Sequence, residues 1–307
     1  MHKYFKGMVS MGITTKDIAK IAGVSQSTVS RCLNDSKLIS EETKNRIKEI
    51  AAQYGFEFNA NARSLSTNKT GTIGVIYPEN FNDFSNNLYL SSLHNQLRDS
   101  LEKENLDLIV SFANNRYTGQ SNIRRMVLRK KVDGLIIVRN DIDNETLMFL
   151  NKSKIPFIFM HHFIDDPDLS NIDIIASDHE YGGYLAGRYL AGLGHRNIAC
   201  IAVKGIGTEY DERTSGFKAA LKDSKLTFDD RFLFYGDSTF KSGYSAVREN
   251  IDAIKGITAM FVHNYIMALG AIEALKEYGL KVPDDVSIIG YDDIELCTYF
   301  KPYLTTI

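Results

Sequence analysis

Residues 14–34 read TTKDIAKIAGVSQSTVSRCLN, and this stretch sets the architecture of the front of the chain. Thr14 followed three positions later by Asp17 is a capping arrangement, and Ile18, Ala19 and Ile21 then fall on one helical face, which predicts a helix over about 15–22. Gly23 supplies the backbone freedom for a tight turn, Val24 can plug the crevice between helices, and Ser25 can cap a second helix. On that second helix Val29 and Leu33 face inward at i, i+4 spacing. Gln26, Ser27, Thr28, Ser30 and Arg31 are left on the outer side. Short polar side chains let a helix sink into the major groove and reach base edges and phosphates, where bulkier groups would hold it away. The same pattern also describes a solvated surface, and the residues of this stretch alone leave both readings open.

The following blocks narrow the choice. ISEETKNRIKEIAAQYGF (39–56) predicts a third amphipathic helix, with Ser40 as N-cap, Glu41 and Glu42 in the first turn, and Ile47, Ile50 and Ala51 inward. After it comes FNANARSLSTNKTGTIGVIYP (58–78). In this order the three blocks resemble the start of bacterial transcription regulators of the lactose/galactose repressor (LacI/GalR) family, nearly position by position. The resemblance implies a small all-α helix-turn-helix domain over 13–58, a hinge helix and linker over 59–71, and an effector-binding and dimerisation domain over 72–307. It implies DNA contacts from Thr15, Ser25, Gln26, Ser27, Thr28, Ser30, Arg31 and Asn34, and from Asn59, Arg63, Ser64 and Leu65 of the hinge. Gln26 and Ser27 would meet base edges, while Thr28, Ser30 and Arg31 would mix base and phosphate contacts. Leu65 stands where the family wedges a leucine into the minor groove, and an apolar wedge kinks DNA by unstacking a base step. NANARSL is too short for a stable isolated helix in water, so the hinge is expected to fold on DNA. Phe58 departs from the family, which usually has proline before the asparagine, and this bears on how the hinge is entered.

Composition agrees with a divided molecule. The chain has 307 residues, 44% apolar and 24% charged, enough for two or three cores. The net charge of −2 conceals an asymmetry: residues 1–70 hold 11 Lys and Arg against 6 Asp and Glu, and the remainder 25 against 32. A basic front on an acidic body suits one segment that meets a polyanion, although a solvated charged surface gives the same count. Cys32, Cys200 and Cys297 are few, distant and odd in number, which fits reduced thiols rather than a disulfide framework. There is no metal-ligand spacing, no nucleophile elbow, and no phosphate or dinucleotide loop, since KGIGT (204–208) lacks their endings. His161 and His162 lack a second ligand cluster. The longest apolar runs, such as GLIIV (134–138) and PFIFM (156–160), are far too short to cross a bilayer. These features point away from catalysis, cofactors, metals and membranes, and toward the cytoplasm.

From Thr72 the segments TIGVIY, LDLIVSF, DGLIIV, PFIFM, DIIAS, NIACIAV, ITAMFV and VSIIG read as strands. They alternate with helical stretches such as 89–104, 180–194 and 266–279. This predicts an α/β body with parallel sheets, with the polar gap at 161–171 as the place where the chain passes between two sheets. The resemblance implies the two-lobed architecture of periplasmic binding proteins closing on a small ligand. Open parallel sheets bind ligands beyond the carboxyl ends of their strands, so polar residues just after strands are the candidates. Arg213 matches the family's effector-binding arginine, whose planar fork can grip neighbouring hydroxyls or a carboxylate. Asn264 and Asp292 fall where the family's ligand contacts cluster, and an amide and a carboxylate suit sugar hydroxyls. Tyr265 replaces the usual aspartate after that asparagine. Phe84 and Tyr89, after the first strand, could stack on a sugar face or pack in the core.

The reading is of a homodimeric repressor of a carbohydrate-utilisation operon, released by a sugar. The region 76–97 resembles the maltose-type regulators of Gram-positive bacteria. Alternatives are a catabolite-type regulator with a phosphorylated protein corepressor, a purine-like corepressor, and a sugar-binding module without DNA function. Compared with the family the chain stops early, at PYLTTI, before a strand and helix that normally complete the first lobe, and Met11 is a candidate initiator.

Overall fold

In a computed structural model the described residues are 13–56, 68–78, 87–138, 142–160, 172–204, 208–299 and 301–307. The chain divides between Gly71 and Thr72 into two compact units. Phe58, Asn59, Arg63, Ser64, Leu65, Phe84, His161 and His162 lie outside the described residues.

The first unit contains three helices, α1 (Thr15–Ala22), α2 (Gln26–Leu33) and α3 (Glu41–Gln53). Each start is fixed by a hydroxyl. Thr14 and Asp17 form a reciprocal capping box on α1, Ser25 accepts the Thr28 N–H on α2, and Ser40 accepts the Thr43 N–H on α3. Gly23 ends α1 at φ 68°, a left-handed conformation that glycine adopts without a Cβ penalty. The Arg46 guanidinium donates to the Ala22 carbonyl and ties α3 to the end of α1. Ile18, Ala19, Ala22, Val29, Cys32, Ile47 and Ala51 are buried together, with Val24, Leu33 and Ile50 partly buried around them. One inward assignment is therefore corrected: Ile21 is 47% exposed and Ala22 takes its place. Leu33 packs partly buried against the core, beside the fully buried Cys32. Small side chains, alanine and cysteine, pack between Ile18, Val29 and Ile47 at its centre.

The second unit is α/β. Its first half runs β1 (Thr72–Tyr77), α4 (Leu88–Lys103), β2 (Asp107–Phe112), α5 (Asn122–Leu128), β3 (Gly134–Val138), α6 (Asn144–Ser153), β4 (Phe157–Met160) and β5 (Asp173–Ile175). The strands form a parallel sheet in the order β2-β1-β3-β4-β5. The second half runs α7 (His179–Gly192), β6 (Ile198–Val203), α8 (Thr208–Asp223), β7 (Leu233–Gly236), α9 (Phe240–Glu249), α10 (Ile251–Ile254), β8 (Ala259–Val262), α11 (Tyr265–Glu277), β9 (Ser287–Gly290) and β10 (Thr305–Thr306). Its sheet is also parallel, in the order β10-β9-β8-β6-β7.

The expected crossing point at 161–171 is corrected by β5, which pairs with β4 (Phe159 beside Ile174) and so still belongs to the first sheet. The change of sheet follows β5 and runs through α7. Strands β7 and β10 are additions to the sequence reading. Along β6, Ile198, Cys200 and Ala202 face α7 and α8, while Ala199, Ile201 and Val203 face the opposite helical layer. This alternation, apolar on both sides, is that of a doubly covered parallel strand.

Helices α7 and α8 are packed backbone to backbone. A Cβ on Gly216 would lie 1.8 Å from the Glu180 carbonyl oxygen, and one on Gly183 would lie 2.0 Å from the Arg213 carbonyl oxygen. Gly216→Ala is expected to lower unfolding stability by about 2–3 kcal/mol, because the helices must separate to admit the methyl. Gly192→Ala, at the open end of α7 with nothing within 4 Å, should be neutral or stabilising by up to about 1 kcal/mol. Urea unfolding of the two variants checks both.

Candidate DNA-binding surface and effector cavity

The outer face of α2 carries the candidate DNA contacts, and the structure divides them by what their side chains already do. Ser25 Oγ lies 2.8 Å from both Ser27 Oγ and Thr28 Oγ1, and it also accepts the Thr28 N–H. Gln26 Nε2 donates to Thr15 Oγ1 at 2.9 Å, which ties α1 to α2. Asn34 Nδ2 donates to the Ser30 carbonyl at 2.9 Å. Ser25, Gln26, Ser27, Arg31 and Asn34 are exposed, and Thr15, Thr28 and Ser30 are half-buried. Arg31 has no partner among the described residues. The helix thus presents amide, hydroxyl and guanidinium groups on an ordered surface.

The second unit holds a cavity of about 650 Å³. It lies beyond the carboxyl ends of the strands of both sheets, with Pro78 after β1, Val138 ending β3, Asn264 after β8 and Asp292 after β9. Arg213, on the second turn of α8, is 6% exposed and faces this cavity. Its guanidinium carbon is 3.7 Å from the ring centroid of Tyr291 and 5.0 Å from that of Tyr210, so two aromatic faces meet the cation. Nη1 donates to the His263 carbonyl, Nε reaches Nδ1 of His179 at 3.4 Å, and Nη2 lies 3.9 Å from an Asp292 carboxylate oxygen. Burial pushes the Asp292 carboxyl above its ordinary range, against the opposing pull of Arg213 and the Tyr265 N–H. At 3.9 Å the ion pair is too long to offset desolvation fully.

Asn264 caps α11 by accepting the Met267 N–H at 2.9 Å, and its amide nitrogen has no bond among the described residues. Tyr265 is buried in the core beside it. Tyr89 lines the cavity while packing on the core of the second sheet, and burial raises its phenol to about 12. The structure therefore brings Tyr89, Arg213, Asn264 and Asp292 around one cavity. His179, Tyr210, His263 and Tyr291 support the arginine and were not singled out in the sequence. Their signal was available only in part: Tyr210 is three residues before Arg213, and Tyr291 adjoins Asp292. Among the described residues no group of acidic, His or Cys side chains forms a metal site, and no helix is long and apolar enough to cross a membrane.

Residues 14–59 match the model of bacterial regulatory proteins, lacI family, and residues 188–307 match that of the periplasmic binding protein-like domain. The HTH-type transcriptional repressor PurR of Aliivibrio fischeri (strain MJ11) is 36% identical over 297 residues, covering 96% of this chain and 86% of that protein. The chain belongs to the lacI family of bacterial regulatory proteins. A lac repressor dimer solved bound to operator and an anti-inducer is 27% identical, with a TM-score of 0.74 over 96% of this chain and 87% of that one. A LacI family regulator from Enterococcus faecium solved with bound ribose is 32% identical, with a TM-score of 0.65 over 76% and 82%. Membership of the lacI family makes the protein a DNA-binding transcriptional repressor, with an N-terminal helix-turn-helix unit and a two-sheet effector-type unit.

His263, which supports Arg213 through its carbonyl, has its imidazole fully buried. Nδ1 accepts the Val203 N–H at 3.3 Å, and Nε2 lies 3.4 Å from Thr214 Oγ1. Desolvation, reinforced by Arg213, pushes its pKa down to about 3, so the neutral ring with the proton on Nε2 is the folded form. The unfolded chain binds a proton that the folded chain refuses between about pH 6.5 and 3. This contribution to stability is complete above the upper value and is lost as pH falls through the window. Urea unfolding between pH 7 and 4 should show a slope approaching about 1.4 kcal/mol per pH unit from this site. His263→Asn, which keeps an acceptor near Nδ1, should remove that part of the slope.

Proposed function

We propose that this lacI family repressor binds a pseudopalindromic operator as a homodimer and is switched by a neutral polyhydroxylated effector, a sugar, held at Arg213 and Asp292. The observation that carries this reading is the Arg213–Asp292 pair, buried among tyrosine faces in a cavity at the carboxyl ends of two parallel sheets. The two charges are opposite, which favours a ligand without net charge. Planar polar groups beside aromatic faces suit hydroxyls on one side of a sugar ring and C–H groups on the other. The ribose and cellobiose bound in two related solved structures support a sugar. A maltose-type regulator remains the finer form of this reading.

In the DNA-binding role, Gln26 and Ser27 read base edges, and Thr28, Ser30 and Arg31 combine base and phosphate contacts. Thr15, Ser25 and Asn34 hold or flank that face. Asn59, Arg63, Ser64 and Leu65 complete the contact set in the hinge, with Leu65 as the wedge. Dimerisation is supported by the related lac repressor, which was solved as a dimer bound to operator. A two-fold dimer matches two-fold DNA. Such a repressor acts in the cytoplasm.

A second reading, a planar purine-like corepressor, is favoured by the same tyrosine faces around Arg213 and Asp292, which could stack on a base and pair with its edge. The two readings differ in sign: a sugar inducer weakens operator binding, whereas a corepressor strengthens it.

The test is selection of duplex DNA from a random pool by the purified protein, with and without maltose, ribose and hypoxanthine. Enrichment of a pseudopalindrome that is lost with one sugar supports the inducible repressor. Enrichment that needs hypoxanthine establishes the second reading, and no enrichment under any condition overturns both. On the selected operator, Gln26→Ala should cost about 1–3 kcal/mol and relax preference at one base pair of each half-site, leaving non-specific binding unchanged. Arg213→Ala should abolish the ligand response and keep operator affinity.

A further inference from the structure

Tyr265 stands at the first position of α11, where the family pattern has an aspartate, and it makes a contact that an aspartate could not. Its side chain is 4% exposed, within the core on one face of the second sheet. Its hydroxyl oxygen accepts the backbone N–H of Leu88 at 3.2 Å, across 177 residues of sequence. Leu88 is the first residue of α4, a helix of the first-sheet half. The first N–H groups of a helix have no partner inside it and must be satisfied from outside. At α4 the Leu90 N–H is satisfied locally by Asn87 Oδ1 at 3.0 Å, while the Leu88 N–H is satisfied by a phenol from the other half of the unit. Leu88 and Tyr89 also pack on the core that contains Tyr265.

We propose that Tyr265 is a positioning residue that caps α4 from the opposite lobe, and that through this cap it sets the width of the effector cavity. Two parts of the site meet at it. The Tyr265 N–H interacts with the Asp292 carboxylate, and Tyr89, next to the capped residue, lines the cavity. A ligand that draws Tyr89 toward Arg213 and Asp292 strengthens the cap. If the lobes separate, the cap is lost and one N–H goes to water. The hydroxyl uses an oxygen lone pair in this bond, so its own proton is left to donate. The inference rests on the reading of this cavity as the effector site, but the cap can be measured without any ligand.

The variant is Tyr265→Phe, which keeps the ring in the core and deletes only the hydroxyl. Hydrogen exchange at the Leu88 amide is compared between wild type and variant in the ligand-free full chain, with the amides of α11 as an internal control. Exchange at Leu88 should speed up about three- to tenfold while α11 stays protected, as expected for the loss of one neutral hydrogen bond. Titration with maltose and with hypoxanthine then follows on both proteins. Whichever binds wild type should bind the variant about three- to tenfold more weakly, at unchanged ligand-free operator affinity. Unchanged exchange at Leu88 overturns the proposal. So does faster exchange with unchanged affinity, because the cap then exists without governing the cavity. Absence of binding of either ligand to wild type counts against the effector reading instead, and the exchange comparison still decides the cap.

Discussion

A guanidinium taken out of water governs the body of this protein. An uncompensated buried cation costs several kcal/mol, and Arg213 is compensated by groups from four separate places in the chain. His179 comes from the start of α7, Tyr210 from α8 one turn earlier, the His263 carbonyl from the end of β8, and Tyr291 with Asp292 from beyond β9. Their meeting requires parallel strands ending at one level, with β6 and β8 adjacent. It also requires α7 close enough to α8 for the first residue of one to reach the sixth residue of the other. That approach is made by glycines: Gly183 lies against the Arg213 carbonyl, and Gly216 against that of Glu180. Packing and site chemistry are therefore one constraint here, and a methyl group at the helix contact would move the arginine it serves.

The DNA-binding unit solves a different problem, that of ordering a small surface with few buried residues. Its core is seven buried side chains, two of them at the inner face of α2. The hydroxyls of α2 divide their work accordingly. Ser25 and Thr28 bond one another and the helix start, and Gln26 ties back to Thr15, so the amide and the Ser27 hydroxyl are fixed before any DNA arrives. Less freedom is then lost on binding, which is where a short helix with polar side chains gains affinity.

Much of this was legible in the sequence, and the failures have physical causes. The hydroxyl before each helix and Gly23 after the first are local signals, and α1 spans the residues that Thr14 and Asp17 predict. Ala22 displaced Ile21 inside, and Cys32 is buried more deeply than Leu33, because helical period fixes a face but not the depth available on it. Strands β7 and β10 lie at sheet edges, where β7 buries only Phe234 and β10 has two residues, so neither forms an apolar run to read. The crossing between sheets was misplaced because a polar gap marks a turn without saying which strand the next segment pairs with. Arg213, Asn264 and Asp292 came from resemblance rather than from spacing. His263 and Tyr291 were not singled out because they serve the site through a carbonyl and a ring face, which leave no pattern in the residue order beyond Tyr291 adjoining Asp292.

The cavity is also divided by polarity in a way that bears on how a ligand could act. Among the described lining residues, Arg213, Asp292, Asn264 and His179 come from the second-sheet half, with Leu185, Ile266 and Ile307 beside them, while the first-sheet half contributes Pro78, Asn87, Tyr89, Leu90 and Val138. Among the described lining residues, the charged side chains thus all lie in the second-sheet half. A ligand seated by hydrogen bonds on the polar wall offers its outer, less polar face to the other. Covering that face removes apolar surface from water at about 25 cal/mol per Å². This gain exists only when the walls approach, so it is a difference in ligand affinity between two arrangements, which is the quantity that shifts a conformational equilibrium. A ligand polar on both faces would forfeit that gain, and one apolar on both would leave Arg213 and Asp292 desolvated without new partners. A ring with one polar and one apolar face would gain from both walls at once.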